Sequence, residues 1–451
     1  MTSEHNDFSH IRLIDEATYA DVMDLSVLPL LRGFKQDDWY MVGDCKPVAL
    51  ALAGAESQPK HEQGIHSVYL SQVSFRNAVA ELGAAAGVGA TAANGTTAVA
   101  ATTTAATATT KLDAASAATS KLDVTTITPA PTATSAKPDL SCVAAVSSAT
   151  PTTTAAVAPF TNPAPSITPA PTISEKFRGT VVISHGFTES AVKYAEMAWY
   201  LLQAGFSVLI VEHRGHGRSL RETDDPMVVT MSDWHLYISD FVGAVRHSAA
   251  RFGIEGPLHL FSHSLGGAIG AAVLETHPDL FDRAILSSPM MEPKTGMPVL
   301  FAYALSATAA GVGEGSRKVP SLPVFSEDSG KNKSGGRSAA RVKWYHRQRV
   351  LDWEYRTNAP SFDWVVAALS LDYNVLAPSA IARITAPLLM FQSGDDHWVQ
   401  PGAQTRFLKE ARKAGVKIRG IRVPGAGHEL FSEPNERFEP YLREVLAFLA
   451  A

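Results

Sequence analysis

From Arg178 onward, short apolar runs alternate with segments of helical periodicity. The helical pattern is clearest in Ala191–Gln203, which stops at Gly205, and in Phe438–Leu449 near the end of the chain. The apolar runs predict buried strands at Gly179–Ile183, Phe206–Val211, Leu258–Ser262, Ala284–Ser287, Pro387–Gln392 and Val416–Val423. Strands that alternate with helices predict an α/β fold with a mostly parallel, doubly wound sheet.

Three other parts of the chain have different patterns. Trp39–Leu52 and Ser67–Phe75 have strand character and are predicted to add antiparallel edge strands to the sheet. Between Glu292 and Arg383 the strand and helix alternation stops, which predicts a helical cap over the sheet. Residues 77–175 consist almost entirely of Ala, Thr, Val, Ser, Gly and Pro. Because this stretch has few large side chains to bury, burial cannot offset the entropy lost on ordering the chain. The stretch is therefore predicted to be a disordered, low-complexity insert.

The chain is therefore predicted to divide into five parts. These are N-terminal edge strands of the core (1–76), the insert (77–175), the first half of the core (176–291), the cap (292–383) and the second half of the core (384–451).

Composition and charge exclude several classes of protein. The 39 basic and 44 acidic residues give a net charge of −5, which does not suggest a nucleic-acid partner. Cys45 and Cys142 cannot build a disulfide framework or a metal cluster. The N-terminus is polar and acidic, and no apolar run reaches the length of a membrane span, so we expect a cytoplasmic protein. No metal, cofactor or obligate protein partner is predicted.

The segment LFSHSLGG carries the first sign of chemistry. It follows a predicted strand and opens an apolar helix, which is the context of a nucleophile elbow with Ser264 at its tip. Such a turn needs small residues two positions before and after the nucleophile, here Ser262 and Gly266. Ser262 stands where a first glycine is usual. A single motif of this kind also arises by chance, so whether Ser264 is a nucleophile depends on finding a base and an acid to pair with it.

An activated serine needs a base, and the base needs an orienting carboxylate. His428 lies in a loop of small residues after the last predicted strand. The loop after Pro387–Gln392 contains Asp395 and Asp396. Asp396 is the preferred acid because it lies two residues after a glycine and three before an apolar residue, and Asp395 stays as the alternative. The order Ser264, Asp396, His428 is that of α/β-hydrolases.

A tetrahedral intermediate also needs hydrogen-bond donors for its oxyanion. The backbone N–H groups of Phe187 and Leu265 are the predicted pair, and Gly186 would let the backbone come close to the substrate. His185 reads as a structural loop histidine. His263 is expected to point into the fold or to line the pocket.

Four stretches of the chain are similar to the serine hydrolases called lysophospholipase L2 and monoacylglycerol lipase. They are ISHGFTESAVKYAEMAWYLLQAGFSVLIVEHRGHGRS, FSHSLGGAI, LLMFQSGDD and GAGHEL. The resemblance covers about residues 179–290 and 387–449, and the low-complexity insert has no place in it. It implies an α/β-hydrolase fold, a Ser264–Asp396–His428 triad, no cofactor, and hydrolysis of carboxylic esters of lipids.

Two weaker signals concern the cap and a helix before the elbow. The cap has a basic cluster without an intervening acid, which predicts either peripheral contact with an anionic lipid surface or a solvated helix face. Its members are Lys331, Lys333, Arg337, Arg341, Lys343, Arg347 and Arg349. His235 and Asp240 form a string seen in acyltransferases, but their spacing does not place them on one helix face.

The sequence leaves more than one function open. The first is a lipid esterase acting on a lysophospholipid or a monoacylglycerol. An acyltransferase or a peptidase of the proline iminopeptidase type could use the same scaffold. A catalytically silent binding module is a further alternative, against which the complete triad weighs.

Overall fold

The computed structural model describes residues 8–42, 64–92, 171, 173–320, 323–331 and 334–451. Most of the predicted insert, residues 93–170 and 172, lies outside this set, as do both cysteines. The chain divides into two compact units, Met1–Gly87 with Pro165–Ala451, and Val88–Ala164. The features below belong to the first unit, except for residues 88–92, the end of one helix, which belong to the second.

An eight-stranded sheet forms the centre of the first unit, in the order β1-β2-β4-β3-β6-β7-β9-β10. Only β2 runs against its neighbours β1 and β4, and the other pairs are parallel. A separate short parallel pair joins β5 and β8. The strands are β1 (Gln36–Met41), β2 (Gly64–Leu70), β3 (Thr180–Ser184), β4 (Ser207–Val211), β5 (Val228–Val229), β6 (Leu258–His263), β7 (Arg283–Ser287), β8 (Ala359–Pro360), β9 (Leu388–Ser393) and β10 (Ile418–Val423).

Helices cover both faces of this sheet. Among the described residues they are α1 (Tyr19–Val22), α2 (Leu28–Phe34), α3 (Gln72–Ala92), α4 (Ala195–Gln203), α5 (Trp234–Phe252), α6 (Leu265–Thr276), α7 (Val299–Ala309), α8 (Ala339–Leu351), α9 (Phe362–Val375), α10 (Pro378–Ile381), α11 (Pro401–Lys413) and α12 (Asn435–Leu449). A π-helical turn, Met23–Val27, joins α1 to α2. No helix within the described ranges is both long and apolar enough to cross a membrane.

The predicted sheet agrees with the structure, with two corrections at its N-terminal edge. The stretch Ser67–Phe75 is not all strand, because β2 ends at Leu70 and α3 begins at Gln72. Ser71 starts this helix, since its hydroxyl accepts from the backbone N–H of Ser74 at 3.4 Å. The predicted insert was placed too early, because residues 77–92 continue α3.

The two faces of the sheet carry two apolar cores, and the strands from β2 to β9 along the sheet contribute to both in turn. In β6, Leu260 packs with α5 and α6 on one face, whereas Phe261 packs with α4 and α12 on the other. A strand that is buried on both faces has a continuous run of apolar residues, and this is why the sequence pattern predicted these strands. This burial fixes where each parallel strand ends, and so where the loops that follow it begin.

The cap, residues 292–383, contains α7 to α10, and its helices are held differently. On α8, the buried Arg341 makes a two-pronged ion pair with Glu196 of α4 at 2.8 Å, and Trp344 donates to Asp24 at 2.9 Å. These bonds fix α8 to the body of the protein. By contrast, Leu300 and Phe301 of α7 are 84% and 61% exposed.

Candidate active site

Four of the parallel strands, β3, β6, β9 and β10, end at one edge of the sheet, and the loops that follow them form the candidate site. Ser264 follows β6, Asp396 follows β9 and His428 follows β10. The loop after β3 brings Phe187 to the same edge. This is the edge at which open parallel sheets bind ligands.

Ser264 lies at the tip of a tight strand-to-helix turn. Its φ of 53° and ψ of −119° lie where non-glycine residues are strained by about 1–3 kcal/mol. The backbone of Ser264 is held by four hydrogen bonds: its N–H donates to the Ser287 oxygen at 3.2 Å, and its oxygen accepts from three N–H groups, including that of Met290 at 2.8 Å. A Cβ on Gly266 would lie 2.2 Å from the Ser184 carbonyl oxygen, so only glycine lets α6 approach β3 this closely.

The structure brings Ser264, His428 and Asp396 together in one hydrogen-bonded chain. The His428 ring bonds the Ser264 hydroxyl through Nε2 at 2.8 Å and the Asp396 carboxylate through Nδ1 at 2.8 Å. With Nδ1 donating to the carboxylate, Nε2 is free to accept the serine proton. All three side chains are largely buried.

The two candidate acids have different surroundings. The second oxygen of Asp396 accepts from the N–H groups of Trp398 and Val399 at 2.8 and 3.0 Å. Burial alone would raise the pKa of Asp396, but the His428 bond and these N–H groups lower it below its ordinary value. Asp395 instead faces Arg337, whose hydrogen bond lowers the Asp395 pKa. The geometry therefore pairs His428 with Asp396 and not with Asp395.

The predicted oxyanion donors belong to Leu265, which directly follows Ser264, and to Phe187, in the loop after β3. Within the described residues, the N–H groups of Phe187 and Leu265 have no hydrogen-bond acceptor. The loop that carries Phe187 is strained at Thr188, whose φ is 60°. The carboxylate of Glu189 holds this loop by accepting from the Gly186 N–H at 2.6 Å.

A buried ionic cluster supports the loops, and the sequence analysis did not find it. Lys193 bridges Glu189 at 2.7 Å and Glu429, the neighbour of His428, at 2.8 Å. Burial alone would lower the Lys193 pKa, but the two carboxylates raise it, so the group stays charged. Tyr194 donates to Glu189 at 2.6 Å. The i,i+4 spacing of Glu189 and Lys193 was the available sequence signal, but it is ordinary on solvated helices.

The two histidines of uncertain role are both buried. His263 packs its ring 4.9 Å from the His428 ring and bonds the Ser287 carbonyl oxygen through Nδ1 at 3.1 Å. Burial lowers the pKa of His263 to about 4, so it is neutral at neutral pH. His185 accepts from the His213 N–H at 2.9 Å and bonds no member of the chain of three.

Two weaker sequence signals do not form sites. His235 is exposed and bonds Asp233, whereas Asp240 is buried and bonds Arg214. The two residues of the acyltransferase-like motif therefore have separate partners and do not form a site. In the described part of the chain, no group of three or more His, Cys, Asp or Glu side chains could hold a metal ion.

Comparison with known proteins agrees with this architecture. The family described as serine aminopeptidase, S33, matches residues 175–435, more than half of the chain. This chain therefore belongs to that family, and the predicted α/β-hydrolase fold and serine hydrolase resemblance are confirmed.

Several curated proteins are similar over the same region. Lysophospholipase L2 of Escherichia coli (strain K12) is 29% identical over 286 residues, covering 59% of this chain and 79% of that protein. The monoacylglycerol lipase of Mycolicibacterium smegmatis is 28% identical over 264 residues, covering 58% and 84%. The monoglyceride lipase of Homo sapiens is 30% identical over 281 residues, covering 59% and 81%.

Solved structures support the fold. A lipase in an open form is 20% identical with a TM-score of 0.50, covering 61% of this chain and 91% of its own. A carboxyl esterase from Bacillus coagulans is 15% identical, also with a TM-score of 0.50, covering 62% and 91%. At these identities the likeness concerns the fold alone.

Proposed function

We propose that this chain hydrolyses carboxylic esters of lipids, with a lysophospholipid or a monoacylglycerol as substrate. The observation that carries the proposal is the continuous chain of bonds from Ser264 through His428 to Asp396. Its similarity to lysophospholipase L2 and to monoacylglycerol lipases supports the choice of substrate class. No cofactor enters the reaction.

The mechanism follows from the direction of these bonds. His428 Nε2 takes the proton from Ser264 as the hydroxyl oxygen attacks the ester carbonyl carbon. The oxyanion formed is stabilised by the N–H groups of Phe187 and Leu265. His428 then returns the proton to the leaving alcohol, and the acyl group stays on Ser264. A water that His428 deprotonates releases the fatty acid, while Asp396 stabilises the charged imidazole in each half-reaction.

The test compares serine labelling with lipid turnover. A fluorophosphonate probe is applied to the wild type, Ser264→Ala and His428→Ala, and the same samples are assayed on a monoacylglycerol and a lysophospholipid. Labelling should vanish in Ser264→Ala, and the wild type should turn over at least one lipid. Asp396→Asn should lower kcat by about 10³–10⁴-fold, because the imidazole then loses its correct tautomer. Glu444→Gln, an exposed acid far along α12, serves as the matched control.

Each failure points to a different alternative. A folded wild type that is not labelled would indicate a silent binding module. Labelling without lipid turnover, together with cleavage of an N-terminal prolyl amide, would indicate a peptidase. Transfer of the acyl group to an added alcohol in preference to water would indicate an acyltransferase.

We further propose peripheral contact with a lipid surface, through α7 and not through the basic cluster of the cap. The basic residues with described bonds have partners within the protein: Arg337 pairs with Asp395, Arg341 with Glu196, Arg347 with Asp24, and Arg349 donates to the Thr357 oxygen at 2.7 Å. The apolar side chains of α7 are exposed. In the chain, α7 follows a segment that is hydrogen-bonded to the loop of Asp396. The cytoplasmic location stays a prediction.

A further inference from the structure

The cap segment that leads into α8 lies across the loop of His428. The Glu429 N–H donates to the Gly335 oxygen at 3.1 Å, and the Gly335 N–H donates back to the Glu429 carboxylate at 3.2 Å. Further along, the N–H of Arg337 donates to the Ser432 oxygen at 3.1 Å. This part of the cap is therefore attached to the chain that immediately follows His428.

The side chain of Arg337 extends this attachment to the acid loop. One guanidinium nitrogen donates to the carbonyl oxygen of Gly425, three residues before His428. The other donates to the carboxylate of Asp395, the direct neighbour of Asp396. A planar guanidinium is suited to this, because it donates in fixed directions to two acceptors at once.

Apart from Arg337 and the triad itself, the two loops are held by the pairing of β9 with β10, which ends at Ser393 and Val423, and by Arg422, which donates to the Gly394 oxygen at 3.2 Å. The Ala426 carbonyl oxygen accepts from the Asp395 N–H at 2.9 Å and from the Ser393 hydroxyl at 2.7 Å. All of these bonds reach the acid loop at or before the Asp395 backbone. Arg337 adds a link between the Asp395 side chain and the Gly425 oxygen, close to both Asp396 and His428. The 2.8 Å bond between Asp396 and His428 depends on this relative placement.

We infer that Arg337 is a positioning residue, which aligns Asp396 with His428 by binding Asp395 and the Gly425 carbonyl oxygen together. The inference rests on the proposed function. It also gives the adjacent acids separate roles, since Asp396 orients the base whereas Asp395 anchors the loop. The cap thereby contributes directly to the geometry of the triad.

The first experiment measures catalysis in full-length Arg337→Gln. Its kcat should fall about 10- to 100-fold with KM within about twofold of wild type, because small misplacements of catalytic groups cost rate and not binding. The rate of fluorophosphonate labelling should fall by a similar factor, since it reports the nucleophilicity of Ser264. Arg347→Gln is the matched control, because Arg347 also lies in this part of the cap but pairs with Asp24. It should retain wild-type labelling and kcat.

A second set of measurements separates positioning from a general loss of stability. Arg337 is only partly exposed at 35%, so a small cation can reach its place from solvent. Millimolar methylguanidinium should restore labelling of Arg337→Ala several-fold, whereas methylammonium should not. Arg337→Lys should retain part of the activity, because lysine keeps the positive charge but cannot donate in two fixed directions as the planar guanidinium does. The double variant Arg337→Gln with Asp395→Asn should be no slower than the slower single variant.

The outcomes distinguish this inference from the proposed function. Wild-type labelling and kcat in Arg337→Gln would overturn the inference and leave the function intact. Fully additive losses in the double variant, with no response to methylguanidinium, would also overturn it. If the wild type labels but hydrolyses neither lipid, the proposed substrate class fails, and the labelling rates still decide the role of Arg337. Absence of labelling in the wild type would overturn both.

Discussion

The residues under backbone strain mark the candidate site. Among the described residues, the non-glycine positions with positive φ are Thr188, Ser264 and Ser288. Each follows a strand, β3, β6 or β7, at the edge where Ser264 and His428 meet. Strain of this kind persists only where surrounding bonds enforce it, and it concentrates where a group must be presented in a fixed direction. The strain therefore lies where the scaffold presents Ser264 and the predicted oxyanion donors.

Gly266 provides the sharpest test of the elbow. Gly266→Ala places a Cβ 2.2 Å from the Ser184 oxygen and 2.4 Å from the His185 oxygen, both backbone atoms that cannot move aside. We expect a loss of about 3 kcal/mol or more in unfolding free energy, together with lost fluorophosphonate labelling.

The matched control for this variant is Gly402→Ala in α11. A Cβ at Gly402 meets nothing within 4 Å, so alanine should stabilise the helix by about 0.5–1 kcal/mol. Urea denaturation of both variants measures the two effects. Equal stability of the two variants would contradict the close approach of α6 to β3.

The sequence located most of these residues because each carries its own local signal. Ser264 follows a strand and opens a helix of small residues, and His428 lies among glycines. Asp395 and Asp396 are adjacent acids, and the choice between them rested on loop spacing until the structure showed which one reaches His428. Lys193 gave only the common i,i+4 spacing to Glu189, because its second partner, Glu429, is far away in the sequence.

Among the larger elements, strands were easier to predict than their surroundings. A strand buried on both faces is a short run of apolar residues, and its length separates it from a buried helix. The stretch after β2 is different, because a single hydroxyl at Ser71 starts a helix where the apolar pattern suggested more strand. The polar and aromatic sequence of α8 likewise suggested a solvated face, yet Arg341 and Trp344 are buried.

The exposed apolar face of α7 leads to a prediction about membranes. The double variant Leu300→Ser with Phe301→Ser removes two side chains that are 84% and 61% exposed. We expect weaker sedimentation with vesicles of phosphatidylcholine and unchanged hydrolysis of a water-soluble short-chain ester, because binding scales with buried apolar area.

Leu351→Ser, at a 74% exposed position on α8, is the matched control and should leave sedimentation unchanged. If the α7 variant sediments like the wild type, the surface of contact is elsewhere. A parallel loss of short-chain ester hydrolysis would mean that α7 shapes the site itself.

At the scale of the whole molecule, buried ionisable groups link stability to pH. Glu275 of α6 is 3% exposed, and one of its carboxylate oxygens has no hydrogen-bond partner. Burial raises the pKa of Glu275 to about 9, only partly opposed by the charge of Arg383. The folded protein therefore holds a proton on Glu275 that the unfolded chain releases near its ordinary pKa of 4.5. Its contribution to stability is full below pH 4.5 and is lost as the pH rises toward 9.

Glu275→Gln removes this titration while keeping the shape of the side chain. Near pH 4.5 the variant and the wild type should have similar free energies of unfolding. As the pH rises the variant should become the more stable, by up to roughly 5 kcal/mol at pH 8, since each pH unit between 4.5 and 9 costs the wild type about 1.4 kcal/mol. Denaturation midpoints at pH 5, 6.5 and 8 measure the difference, with the surface variant Glu444→Gln as control. A difference that does not grow with pH would show that Glu275 is ionised in the folded protein and has a partner that neutralises it.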